Sequence, residues 1–172
     1  SADSWTDRSL NERCLTWGMP QGMLPQPYNN NIQIVQTANE VMILTEMVHD
    51  VRIIPLDGRP HIPDNITQWH GDARGHWIGE TLVIETTNFS AKSSFRRSGS
   101  NLHLEERYTR IADDRLQYAF TVTDDTTWEQ PWTVSFPMLK GGEPLYEFAC
   151  HEGNYGLENI LRAARHLEKQ QQ

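Results

Sequence analysis

Along most of this chain apolar and polar residues alternate one for one, which predicts half-buried strands rather than helices. The alternation is cleanest between Leu102 and Thr123. Successive side chains of a strand point to opposite faces. Leu102, Leu104, Glu106 and Tyr108 therefore share one face, and His103, Glu105, Arg107 and Thr109 share the other. Beyond the turn Ala112-Asp113-Asp114-Arg115 the split repeats, with Leu116, Tyr118, Phe120 and Val122 against Gln117, Ala119, Thr121 and Thr123. Two such runs joined by a short polar turn predict a hairpin.

The same reading gives strands at Ile32–Thr37 and from Val41 to about Asp50, the latter continuing through a bulge to Leu56. Asp57-Gly58 is a tight-turn signal, residues 59–75 are loop-like, and a hairpin around Ile78-Gly79-Glu80 leads into the strand Leu82–Phe89. After the polar loop 90–101 and the hairpin described above, a last hairpin joins Trp132–Leu139 to Leu145–Cys150 through Gly141-Gly142. Residues 1–30 are irregular, because Pro20, Pro25 and Pro27 with Gly18 and Gly22 forbid long regular elements. From Asn154 the period changes. Leu157, Ile160, Leu161 and Ala164 recur at helical spacing, with Leu167 near the same face, so a helix is expected over 154–169.

These elements predict one all-β domain over residues 1–172, an antiparallel meander of about eight strands with a C-terminal helix. Such a meander must hide its edges, so a closed calycin- or lipocalin-like barrel over 31–151 is the expectation, with a two-sheet β-sandwich as the alternative. The helix would pack outside the barrel or plug one end.

The composition, 37% hydrophobic and 22% charged over 172 residues, is that of an ordinary folded domain. A formal net charge of -8 disfavours nucleic acid as a partner. The longest apolar region, Val41 to Leu56, is broken by Glu46, His49, Asp50 and Arg52, so no membrane span is expected. Two cysteines, Cys14 and Cys150, lack the spacing of a zinc ribbon. They are read as a disulfide tying the N-terminal segment to the last strand, with two buried free thiols as the alternative. The disulfide would place the protein in a secreted or periplasmic setting.

Several runs carry a resemblance. They are Pro27-Tyr28-Asn29-Asn30-Asn31, Glu46-Met47-Val48-His49-Asp50, Leu56-Asp57-Gly58-Arg59-Pro60-His61 and Gly79–Phe89. With them stand Glu106-Arg107-Tyr108-Thr109-Arg110, Pro131-Trp132-Thr133 and Cys150-His151-Glu152-Gly153-Asn154. Together, across most of the chain, they resemble a family of exported bacterial proteins of uncharacterised activity. The resemblance implies a bacterial exported origin and no particular reaction.

Candidate chemistry concentrates where strands end. His103-x-Glu105 places an imidazole and a carboxylate on one strand face, and His49 and His151 would complete a set of three nitrogens and one carboxylate. That set fits one divalent transition metal, such as zinc, iron, manganese or copper. The competing reading makes this face the solvent face of a sheet. A metal-free site would draw a base from His49-Asp50 or His151-Glu152, with Glu106 beside Arg107 or Arg52 to hold an anionic group. Tyr28, Asn30, Glu46 and Arg52 are candidate ligand contacts. Trp128 and Trp132 would line a mouth that stacks a ring, or else pack in the core. His70 and His76 flank the loop Gly71–Gly75 and are read as exposed and at most pH-responsive.

The combined expectation is a small exported β-barrel that binds a small organic molecule in a polar pocket. An acid–base enzyme, a lyase, isomerase or hydrolase, leads because buried ionisable groups are costly unless paired or used. A non-catalytic lipocalin-like binder and an assembly module built on Tyr28–Asn31 and the Trp loops are the alternatives. A homo-oligomer is compatible with all three.

Overall fold

The computed structural model describes residues 2–93 and 95–170. β1 (Ile32–Gln36), β2 (Glu40–Thr45) and β3 (Val51–Pro55) form a three-stranded antiparallel sheet in that order. β4 (Asp72–Ile78), β5 (Thr81–Thr87), β6 (His103–Ala112), β7 (Arg115–Thr123) and β8 (Trp132–Leu139) form a five-stranded antiparallel sheet, also in chain order. The C-terminal helix α1 spans Tyr155–Gln170. The expected hairpin of β6 and β7 is present, with Glu106 opposite Phe120 and Tyr108 opposite Tyr118. The β4–β5 turn uses Gly79 in the left-handed region (φ 59°), where a glycine meets no steric penalty.

The closed barrel is not formed, for two reasons. Residues 145–150, read from sequence as a strand, are irregular. They are held by separate contacts, such as the Phe148 N–H donating to His49 Nε2 at 2.9 Å. Among the described residues no strand therefore bridges β8 to β1. The run from Val41 to Leu56 is also not one bulged strand. Val48 (φ 61°) and His49 (φ 55°) are left-handed, and the chain reverses there. β2 and β3 consequently pair with each other, Val41 opposite Ile54 and Ile43 opposite Arg52. A β-branched residue such as Val48 is rarely left-handed, so local sequence did not announce the turn. The two sheets are compatible with the sandwich alternative.

One apolar core joins both sheets and the irregular N-terminal segment: Met19, Met23, Val41, Ile43, Ile54, Ile84, Phe89, Leu104, Tyr118, Phe120 and Val122 are all buried. β4 comes close to the small sheet at Gly75. A Cβ there would stand 2.7 Å from Leu56 Cδ2 and 2.8 Å from Ile54 Cγ2. Asn154 starts the helix. Its Oδ1 accepts from Leu157 N–H (3.2 Å), while its Nδ2 donates to Glu12 O (2.9 Å). The helix is thereby tied to the N-terminal segment, as it is again by Arg165 donating to Asp3 O at 2.8 Å.

Candidate functional site

Two clefts run along the gaps between the sheets. One, of about 920 Å³, separates β1 from β8 and is lined by Asn29, Asn30 and Asn31 on one side and Phe136–Leu139 on the other. The second, of about 820 Å³, lies between β3 and β4. The first is lined by Asp113, Asp114, Lys140 and Glu143. The second brings a histidine and an aspartate, His70 and Asp50, within 3.4 Å of each other.

Its polar wall is made by three segments far apart in sequence. Thr16 lies two residues after Cys14, which is left-handed (φ 57°) and joined to Cys150 by a disulfide. Asp50 ends the left-handed turn of Val48 and His49. His70 precedes Gly71 (φ 69°), where a Cβ would lie 2.5 Å from Thr87 O, so that position needs glycine twice over. Such backbone strain persists where the surrounding fold over-determines it, and it clusters at functional sites.

Thr16 Oγ1 sits 2.7 Å from Asp50 Oδ2 and 2.7 Å from His70 Nε2. It also accepts from Gly18 N–H at 2.8 Å. A hydroxyl has one proton, and a carboxylate only accepts. Thr16 therefore donates to Asp50, and His70 must donate to Thr16. This assigns a proton to His70 Nε2, so that in the neutral imidazole Nδ1 carries the lone pair. The contacts to Asp50, from Thr16, from Trp17 N–H (3.4 Å) and from His70 (3.4 Å), all fall on Oδ2. Oδ1 is left over. Leu15, Val51, Ile53 and Trp69 form an exposed apolar rim beside these groups.

Beneath the cleft a buried ion pair fastens one sheet to the other. Arg52 of β3 donates from Nη1 and Nη2 to Glu106 of β6 at 3.1 and 2.5 Å. Tyr108 and Tyr118 donate to the same carboxylate at 3.2 and 2.9 Å. Burial pulls the Arg52 guanidinium down, but the Glu106 charge outweighs it and holds Arg52 above its ordinary value. Burial first, and then the Glu106 charge, push both tyrosines well above theirs. Glu106 and Arg52, expected as catalytic and ligand-binding, thus pair with each other inside the core, with Arg52 Nε left without a partner among the described residues.

The remaining candidates are dispersed. His103, Glu105 and Arg107 lie on the outer face of the large sheet, where Arg107 Nε donates to Glu105 at 2.7 Å. His49 accepts from Phe148, and His151 is exposed in the turn before α1. Among the described residues no group of three or more His, Cys, Asp or Glu side chains is placed to hold a metal ion, so the set His49, His103, Glu105 and His151 is not assembled. Trp128 and Trp132 stack edge-to-face at 5.6 Å, and Trp132 packs on Phe95 and Phe120, at one end of the core. Asn30 bonds back to Gln26 in the other cleft.

Glu46 joins motifs that stand apart in sequence. It is buried and accepts from Asn29 Nδ2 (3.0 Å) and Asn31 Nδ2 (2.5 Å). Burial raises its pKa, yet these bonds and those from the backbone N–H groups of Asn31 and Tyr146 leave it below the ordinary value. Tyr28, next to Asn29, stacks on Phe148 with ring centres 6.4 Å apart. The Pro27–Asn31 and Glu46–Asp50 runs thus meet the C-terminal segment at the turn that aims Asp50. Sequence reasoning named Asp50 but passed over Thr16 and set His70 aside as exposed. Its side chain is 19% exposed.

The chain matches no protein-family model, and neither a curated protein nor a solved structure matches it.

Proposed function

We propose that this protein binds a small organic molecule in the β3–β4 cleft and transfers a proton on it, with His70 as base. The observation that carries the reading is the Thr16 hydroxyl, held 2.7 Å from both Asp50 and His70. Asp50 orients Thr16, Thr16 fixes the tautomer of His70, and Nδ1 takes a proton from substrate carbon or from water. A lyase, an isomerase and a hydrolase all need that step. The Cys14–Cys150 disulfide and the likeness to exported bacterial proteins support a secreted or periplasmic setting. No helix among the described residues is long and apolar enough to cross a membrane. A non-catalytic binding protein is the second reading, favoured by the exposed apolar rim.

The test is a small-molecule screen followed by NMR on the full, disulfide-bonded chain. Hits are expected to move the His70 ring and Trp69 indole signals. Each hit is then incubated in D2O with wild type and with His70→Gln. Turnover or deuterium uptake in wild type alone is the expected result. Binding with neither assigns the non-catalytic reading. Hits that move only residues of the β1–β8 cleft sink both.

A further inference from the structure

The leftover atoms of the β3–β4 cleft say what its ligand must carry. One is a donor, Arg52 Nε, but it is buried beneath the cleft floor. The two left at the polar wall are acceptors: Asp50 Oδ1 and His70 Nδ1. The cations that line the same cleft are already engaged. Arg52 is bound by Glu106, Arg59 by Asp57 through Nε at 2.8 Å, and Arg74 by Asp72 at 2.7 Å. An anionic ligand would meet the Asp50 carboxylate and no uncommitted cation. A hydroxyl would satisfy one acceptor and leave the Asp50 charge uncompensated. An ammonium group brings a positive charge and N–H donors to the Asp50 carboxylate and leaves the His70 Nδ1 lone pair to its role as base.

The rest of the site asks for carbon. Leu15, Val51, Ile53 and Trp69 are 47%, 49%, 60% and 46% exposed at the rim. Register extends that surface. Val51 stands opposite Leu44 and Ile53 opposite Met42, while Val35 stands opposite Met42 from the other side. These five residues share the outer face of the small sheet, since their neighbours Val41, Ile43 and Ile54 point into the core. Contiguous exposed apolar surface of this kind marks a binding surface. The indole of Trp69 is also the side chain that attracts an organic cation most strongly.

We infer that the ligand is an organic cation, a primary ammonium on an aliphatic or aromatic body. Its ammonium sits on Asp50 Oδ1, beside the His70 ring, and its body lies over Val51 and Ile53. This rests on the β3–β4 cleft being the binding site, and it adds the ligand's charge and apolar character.

The experiment uses the full oxidised chain with octylamine, 1-octanol and octanoate, each below its aggregation concentration, and with methylamine. Affinity comes from calorimetry, and location from the His70 and Trp69 NMR signals. Octylamine is expected to move both signals and to bind about tenfold or more tighter than 1-octanol, a difference of one strong charge contact. Octanoate should leave them unmoved. Asp50→Asn should remove the preference for amine over alcohol. Ile53→Ser, which leaves the polar wall intact, should weaken octylamine and not methylamine. Octanoate binding as tightly as octylamine overturns the charge assignment while leaving the cleft as the site. Methylamine binding as tightly as octylamine overturns the apolar body. If none of the four probes moves His70 or Trp69, the inference fails. The screen above then decides separately whether the cleft binds other molecules. A wild-type mass by light scattering that falls to one chain only in Ile53→Ser would assign the apolar face to a second copy, and would also overturn the inference.

Discussion

The outer faces of the two sheets differ. That of the large sheet is polar and cross-linked by side chains: Thr121 to Thr133 (2.8 Å), Gln117 to Ser135 (2.6 Å), Thr81 to Thr109 (2.8 Å) and Arg107 to Glu105 (2.7 Å). That of the small sheet carries Val35, Met42, Leu44, Val51 and Ile53. The large sheet thus has one dry and one wet side, as antiparallel sheets commonly do. The small sheet is apolar on both sides, although Val35, Val51 and Ile53 of the second remain exposed. It is also the sheet that holds Asp50 at the end of a left-handed turn. In the proposed function the large sheet is scaffold, and the small sheet with its flanking segments carries the recognition surface.

The most severe way to break this division is to cut the tie between the sheets. Glu106→Leu strands the buried Arg52 and should cost about 3–5 kcal/mol in urea unfolding. Arg52→Met added to it should restore most of that loss, because a buried pair replaced by apolar groups of similar volume is often neutral. Losses that simply add would show that Arg52 has no dependence on Glu106.

The second acts on the turn that aims Asp50. Glu46 titrates below its ordinary value of 4.5 in the folded protein. Its contribution is therefore whole above that value and fades as pH falls through the folded one. Glu46→Gln should lower the urea midpoint at pH 7 and lose that effect progressively as pH is taken below the ordinary carboxylate range. An equal loss at every pH would mean that its charge plays no part.

The smallest effect concerns the outer faces themselves. Val51→Ser with Ile53→Ser, and separately Thr121→Val, should each change stability by no more than about 0.5 kcal/mol per site, as exposed positions do. A loss several times larger at Val51 and Ile53 would show that the apolar face is part of the core and not a free surface.

Much of the fold was legible in the alternation of residues. Leu104, Glu106 and Tyr108 face inward as the alternation predicts, and so do Tyr118, Phe120 and Val122. Glu106 on that apolar face was the signal of a buried polar network, but its partner Arg52 lies 54 residues away. The apolar runs Val41–Leu44 and Val51–Ile54 misled, since a segment apolar on both faces has no alternation to mark where it reverses. His70 reads as a loop residue because nothing near it in sequence is its partner.

By itself, then, the amino-acid sequence determined which residues of β6 and β7 face inward and the helix capped at Asn154. Each follows from local periodicity or from a capping side chain. Two cysteines offered one possible disulfide beside two free thiols, and the fold decided for the disulfide. The tertiary structure alone decided that the strands split into two sheets, and that Thr16, Asp50 and His70 meet. Periodicity states which side of a strand is dry. It does not state which distant segment comes to lie there, and the separations of 34 and 54 residues between Thr16 and its partners are closed only when the core forms.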